Sequence, residues 1–266
     1  MPKVSIIMGA YNCEATLEDS INSILNQTFI DWEFVICDDA SDDSTLSILE
    51  SYKNKYPKKF VLLHNDKNLM LAGSLNRCLS VAKGEYIARM DADDISAPDR
   101  LEKQVDYLEH HPECSVVGTY MQAFNENGFD EIIPNILNPT KYDLPKTNAF
   151  HHATIMMRKS VYDDLGGYTV AEHTRRVEDV DLWFRFFKKG YQGHTIAQPL
   201  YLVRVDEDAY KRRRFKYCLD ASRVLLYGIK MLDLPAYNYI YVLKPIVSYF
   251  TPKAIKTLFR NNLQNK

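Results

Sequence analysis

The stretch Glu85–Asp94 reads EYIARMDADD: an apolar run ends at Met90, and Asp91, Asp93 and Asp94 follow within four residues. Carboxylates this close repel one another unless a cation or a hydrogen-bond donor offsets their charge. A hard divalent ion, Mn2+ or Mg2+, held by one or two carboxylates together with the phosphates of a substrate, supplies that offset. The competing reading is structural, with Asp93 or Asp94 capping a helix that begins near Pro98 and Arg100. A second acidic strand end, Asp38–Asp39, follows WEFVIC, and a first loop carries Tyr11 and Asn12. The two acidic ends are expected on neighbouring parallel strands, where the set suits a nucleotide: an aromatic ring for the base, a carboxylate for base or ribose donors, and a metal for the diphosphate. Neither GxxxxGK[ST] nor a GxGxxG after the first strand is present, so neither a Walker loop nor a dinucleotide fingerprint is expected.

Positioning these residues takes strands and helices in alternation. Val4–Met8 is a β-branched-rich run closed by Gly9, Ala10, Tyr11 and Asn12, and Leu17, Ile21, Ile24 and Leu25 then share one helical face. Trp32–Cys37 and Phe60–Leu63 read as strands. Between them Ser41, Asp42 and Asp43 supply a cap and first-turn acids for a helix carrying Leu46, Leu49 and Tyr52. A helix with Leu75, Leu79 and Ala82 precedes the strand that ends in the carboxylates, and Leu101, Val105 and Leu108 mark a helix after it. This rhythm predicts an α/β chain with a mostly parallel sheet covered by helices on both faces. In such sheets ligands bind at the carboxyl ends of the strands, which is where the acids fall. Beyond Pro112 the rhythm loosens. Ser115–Phe124 reads as a strand, Phe129–Pro145 as loop and short strand, Val177–Lys189 as a helix opening with acids and closing with bases, and Tyr191–Arg204 as strand and loop.

At 266 residues with 46% hydrophobic and 12% aromatic content, the chain can bury a large core, and its net charge of −2 gives no pull toward nucleic acid. The charge is uneven, since five basic residues and no acid follow Asp233. Five scattered cysteines without a CxxC pair fit reduced thiols in the cytoplasm. MPKVSIIM enters a strand directly, so no signal peptide is expected, and Tyr239–Phe250, broken by Lys244 and Pro245, is too short to span a membrane.

Three segments, VSIIMGAYNCEATLEDSINSILNQTFIDWEFVICDDASDDST, KGEYIARMDADDISAPDRL, and LGGY followed by VEDVDLWFR, resemble the family 2 glycosyltransferases of the GT-A fold, in that order and spacing, from about Lys3 to Arg204. The resemblance implies a Rossmann-like central sheet flanked by helices, with a GT-A catalytic domain over 1–205 and a helical, basic C-terminal extension over 206–266. Residues 1–112 would form the nucleotide-binding half and 113–205 the acceptor-binding half. It implies that Tyr11, Asn12 and Asp39 hold the uracil and ribose of a UDP-sugar. Asp91, Ala92 and Asp93 form the DxD that contacts ribose and the metal, Asp93 being the direct ligand. Glu178 and Asp179 carry the catalytic base, Asp179 for preference, against the bland reading of a helix cap. Many relatives place a histidine after the arginine that matches Arg204; here Val205 and Asp206 follow, leaving Arg204 as a phosphate contact. Asp42 and Asp43 read as helix caps. The adjacent His151 and His152 border the expected acceptor pocket and read as packing more readily than as function.

The expected activity is inverting, metal-dependent transfer of a hexose or N-acetylhexosamine from a UDP-sugar to a glycan hydroxyl. The expected acceptor is linked to a lipid diphosphate, in O-antigen or capsule assembly at the cytoplasmic face of the membrane. A nucleotidylyltransferase would want a basic, glycine-rich first loop, which GAYNCEAT is not. A non-catalytic nucleotide-binding or scaffold module is the remaining alternative. The basic segment Ala236–Lys266 suits either an anionic membrane surface or packing against protein.

Overall fold

A computed structural model describes residues 1–205 and 214–251. The order is β1 (Val4–Ala10), α1 (Leu17–Leu25), β2 (Trp32–Asp38), α2 (Thr45–Lys55), β3 (Phe60–His64), α3 (Met70–Val81), β4 (Tyr86–Arg89), β5 (Ile95–Ser96) and α4 (Arg100–His110). Then follow β6 (Val116–Asn125), β7 (Gly128–Ile133), β8 (Met156–Arg158), α5 (Lys159–Leu165), α6 (Glu178–Lys188), β9 (Gly193–Arg204), α7 (Phe215–Met231) and α8 (Lys244–Phe250). The strands form one sheet in the order β3-β2-β1-β4-β8-β6-β9-β5, with β7 hydrogen-bonded to β6. The first four are parallel, and β6 pairs β9 in parallel, whereas β8, β7 and β5 join their neighbours antiparallel.

Alternation along the strands divides the core between two faces. Val4, Ile6 and Met8 of β1 pack with Leu17, Ile21 and Ile24 of α1, Leu49 of α2, and Leu101 and Leu108 of α4. Ile7, Val35 and Cys37 face the other way, toward Leu75 of α3, Trp183 and Phe184 of α6, and Ile229 of α7. Each such side chain, fully buried, contributes roughly 1.5–3 kcal/mol. The expected layering with helices on both faces is therefore present. One expectation needs correction: β2 and β4 are not neighbours, because β1 lies between them and pairs with both. First strand in the chain and central in the parallel half, β1 separates the two acidic ends while aligning them at one edge.

Two glycines permit close approaches between elements distant in the chain. Gly167, in the left-handed region at φ 71°, sits where a Cβ would meet Asn76 Oδ1 at 2.5 Å. There Asn76 of α3 accepts from the Tyr168 backbone N–H (2.8 Å) and donates to its carbonyl (2.8 Å), pinning the LGGY turn. Gly228 of α7 lies against the Phe184 ring, which any side chain would meet at 2.3 Å, so α7 can press on α6. Of the four consecutive basic residues Lys211–Arg214, which the sequence marks as a basic patch, only Arg214 is among the described residues, and the tail from Pro252 onward lies outside them. Among the described residues no helix is long and apolar enough to cross a membrane.

Candidate active site

The first loop and the loop after β2 are laced together. Asn12, at φ 48°, donates its backbone N–H to Ser41 Oγ (3.1 Å) and accepts the Asp42 N–H on Oδ1 (3.0 Å). The oxygen of the side chain expected to touch nucleotide thus also ties the loop. Asp43 accepts from Glu14 N–H (3.1 Å) and Thr45 N–H (2.9 Å), so it tethers the first loop as well as the first turn of α2, a wider task than the helix cap expected of it. Asp42 reaches the lacing through its backbone. Tyr11 stays half exposed above this platform.

Asp39 is buried at the end of β2, where its Oδ1 accepts from Asn65 Nδ2 (2.6 Å) and the Leu69 N–H (2.7 Å). Asp38 behind it is fully buried, with Oδ2 facing Ser41 N–H (3.2 Å) and His64 Nδ1 (2.9 Å). Of these two, Asp39 is the one that lines the main cavity.

The DADD turn is fixed from below. Tyr201 of β9 accepts the Asp91 N–H (3.0 Å), Ser20 donates to the Asp91 carbonyl (2.9 Å), and Thr16 donates to the Ala92 carbonyl (3.0 Å). Asp94 is buried, with Oδ1 accepting the Arg204 N–H (2.8 Å). Burial, and then the charges of Asp91 and Asp93, push its carboxyl well above the usual range. Asp93 is exposed as a residue, and its carboxyl shifts upward as well, through desolvation first and then the Asp91 charge. Helix α4 begins at Arg100 after Asp99, with β5 intervening, so neither Asp93 nor Asp94 caps it.

A buried cation, not anticipated from the sequence, completes the cluster. Arg89, the last residue of β4, has a side chain only 4% exposed, and its Nη2 lies 2.7 Å from Asp91 Oδ1. Its own carbonyl accepts from the buried Arg100 (2.8 Å). The alternation ARMD carried the signal: a basic residue two positions before Asp91 falls on the same side of the strand. Arg204 makes a second clamp, with Nε donating to the Asp93 carbonyl (3.0 Å) and Nη2 to Asp19 Oδ2 (3.0 Å). Its guanidinium is therefore occupied by protein groups rather than presented freely to phosphate.

Glu178 and Asp179 open α6, where first-turn acids complement the positive end of the helix. Burial raises the pKa of both, with Asp179 adding to the rise at Glu178 and Asp91 adding at Asp179. Arg89 opposes the rise at each, so one buried guanidinium acts on both acidic groups. Tyr11, Asp39 and Glu178 line a common cavity of about 730 Å3, bounded also by 68–72, 169–172 and 174–176, while Asn12, Asp91, Ala92, Asp93, Asp179 and Arg204 are not on its wall. His152 is packed between Tyr168 and Trp183, with Nε2 2.9 Å from the Tyr168 hydroxyl, and His151 Nε2 faces two backbone carbonyls, so both histidines serve packing.

Among the described residues no group of three or more metal-ligating side chains converges. Asp91 and Asp93 nevertheless fit a hard cation, because such ions are held by one or two carboxylates and take their remaining ligands from phosphates and water. The upward shift at Asp93 is that of a carboxylate whose charge is incompletely offset by protein.

Residues 5–166 match the profile of Glycosyl transferase family 2. The putative glycosyltransferase EpsE of Bacillus subtilis (strain 168) is 48% identical over 96% of this chain and 91% of its own length. The UDP-Glc:alpha-D-GlcNAc-diphosphoundecaprenol beta-1,3-glucosyltransferase WfaP of Escherichia coli is 28% identical over 85% of this chain and 86% of its own. Among solved structures, S. aureus TarS 1-349 in complex with UDP-GlcNAc superposes with TM-score 0.69 and 19% identity, covering 93% of this chain and 71% of that one. The mannosyltransferase PcManGT from Pyrobaculum calidifontis, in complex with GDP-Man and Mn2+, gives 0.68 and 18%, covering 99% and 80%. The fold is GT-A, and the chain belongs to glycosyl transferase family 2.

Proposed function

We propose that the protein is an inverting, metal-dependent transferase moving a hexose or N-acetylhexosamine from a UDP-sugar to a glycan hydroxyl. The acceptor is carried on a lipid diphosphate in O-antigen or capsular polysaccharide assembly. The observation that carries the reading is the shared cavity: strand ends of β1 and β2 supply Tyr11 and Asp39, and the start of α6 supplies Glu178 beside Asp179. The UDP-sugar and the diphosphate-linked acceptor in the name of the WfaP relative support the substrate classes.

In this reading residues 1–112 bind the donor and 113–205 the acceptor. Tyr11 stacks on the uracil, Asp39 takes a base or ribose donor, and Asn12 acts mainly by holding their loop. Asp91 and Asp93 would hold Mn2+ or Mg2+, which when bound offsets charge on the leaving diphosphate. The acceptor oxygen attacks the anomeric carbon in line as the bond to UDP breaks, and Asp179 takes the hydroxyl proton. Burial strengthens Asp179 as a base, while the Arg89 charge opposes that rise. Arg204 acts by clamping the DADD turn.

The protein works in the cytoplasm, peripherally on the inner face of the membrane. Ile240, Leu243, Val247 and Phe250 are each more than half exposed, and the sequence beyond them is basic without an acid. Serine at these four positions should weaken binding to anionic vesicles about tenfold; unchanged binding would assign the segment to protein contact.

The deciding experiment is calorimetric titration with UDP in Mn2+ and in EDTA, followed by transfer assays with UDP-sugars. Metal-dependent binding with turnover is expected. Binding without turnover on any diphosphate-linked acceptor would favour a non-catalytic module.

A further inference from the structure

The stretch between the LGGY turn and α6 carries charge that the transfer chemistry above does not use. Arg175 and Arg176 are both exposed and both line the cavity that holds Asp39 and Glu178. Arg176 adopts φ 65°, a left-handed conformation uncommon for a long side chain. Its guanidinium carbon lies 5.1 Å from the centre of the Tyr217 ring, which is also on the cavity wall. Among the described residues neither arginine pairs with a carboxylate, whereas Glu172, the acid on the same stretch, is bonded to Lys216. The cavity is thus acidic toward the strand ends and the helix start, and basic along this segment.

Resting on the reading of Asp179 as the base, we propose that Arg175 and Arg176 form the binding site for the acceptor's diphosphate. The two arginines precede Glu178 and Asp179 by only two to four residues. A sugar whose hydroxyl meets the base carries its anomeric diphosphate one ring away, within reach of this segment. A guanidinium offers paired N–H donors that match phosphate oxygens, and Tyr217 holds the Arg176 plane in place. The donor's diphosphate belongs elsewhere, because Asp91 and Asp93 lie off this wall and carboxylates accept phosphate only through a cation.

The two diphosphate sites separate by metal. Geranyl diphosphate titrated into the full chain in EDTA should bind, since guanidinium recognition needs no metal, and geraniol should not. In Arg175→Ala/Arg176→Ala that binding should weaken about tenfold or more, with the double lysine variant intermediate. The same variant should bind UDP in Mn2+ as the parent does, which also reports that it is folded. Geranyl diphosphate binding that requires Mn2+ and is displaced by UDP would overturn the proposal, as would binding unchanged in the double alanine variant. Loss of UDP affinity in that variant would move the arginines to the donor. Failure of the parent itself to bind UDP in Mn2+ would instead sink the donor reading, a separate result.

Discussion

The two acidic sites of the molecule use the same residue types under opposite conditions. Asp91, Asp93 and Asp94 sit at the carboxyl end of a strand, crowded together, and their charge is met by Arg89, by backbone donors and by the Arg204 clamp. Glu178 and Asp179 sit at the amino end of a helix, where the dipole favours an acid by about 0.3–1 kcal/mol, and burial first, then a neighbouring carboxylate, opposes their charge. The first arrangement leaves incompletely compensated charge, which suits a cation. The second leaves a partly desolvated carboxylate, which suits a proton. Arg89 touches both balances, so the sites are distinct in task and coupled in electrostatics.

That contrast can be broken most forcefully at the proposed base. Asp179→Asn should lower turnover about 10^3-fold or more, at the upper end of general-base effects, with UDP affinity by calorimetry nearly unchanged; retained turnover with lost UDP binding would reverse the assignment. Arg89→Met strikes the shared element. Its partner Asp91 is 30% exposed and can rehydrate, so the expected loss is about 2–3 kcal/mol in denaturant unfolding, below the roughly 3–5 of a wholly buried pair. Asp93→Ala tests the cation side alone. It should abolish the difference between UDP titrations in Mn2+ and in EDTA, a loss of at least about tenfold in the Mn2+ arm.

The smallest effect sharpens the coupling. Because burial raises the Asp179 pKa, the acidic limb of kcat/KM should lie above the ordinary aspartate value of 3.8, activity rising as the carboxylate ionises. Arg89 favours the ionised form, so Arg89→Lys, which keeps the charge, should hold the limb near that of the parent. Arg89→Met should move it to higher pH, and an identical limb in both variants would mean the two sites are uncoupled.

The first half of the chain was legible because its strands are buried on both faces and its helices carry one clean apolar stripe. β1, β2 and β4 and the acids that follow β2 and β4 could be named from pattern alone, to within two residues at each end. The second half was less so. β9 is one strand from Gly193 to Arg204, yet Pro199 and irregular pairing with β6 interrupt its alternation, so it read as strand and loop. The neighbour relation of β2 and β4 was misjudged because strand order depends on which helix crosses which face, and no local period records that.

Sequence by itself determined the inventory: three acids after a buried strand, an acidic pair opening a helix, and an aromatic loop before them. These follow from composition over a few residues, where side-chain period and capping chemistry act locally. Tertiary structure decided what each acid meets. Arg89 lies two residues from Asp91 but becomes its partner because the strand is buried on both faces and the helix α6 closes over it. Asp39 faces the cavity while Asp38 turns inward, and Asn12 Oδ1 ties the loop after β2. Such assignments rest on burial and on contacts distant in the chain, where desolvation sets the strength of every charge.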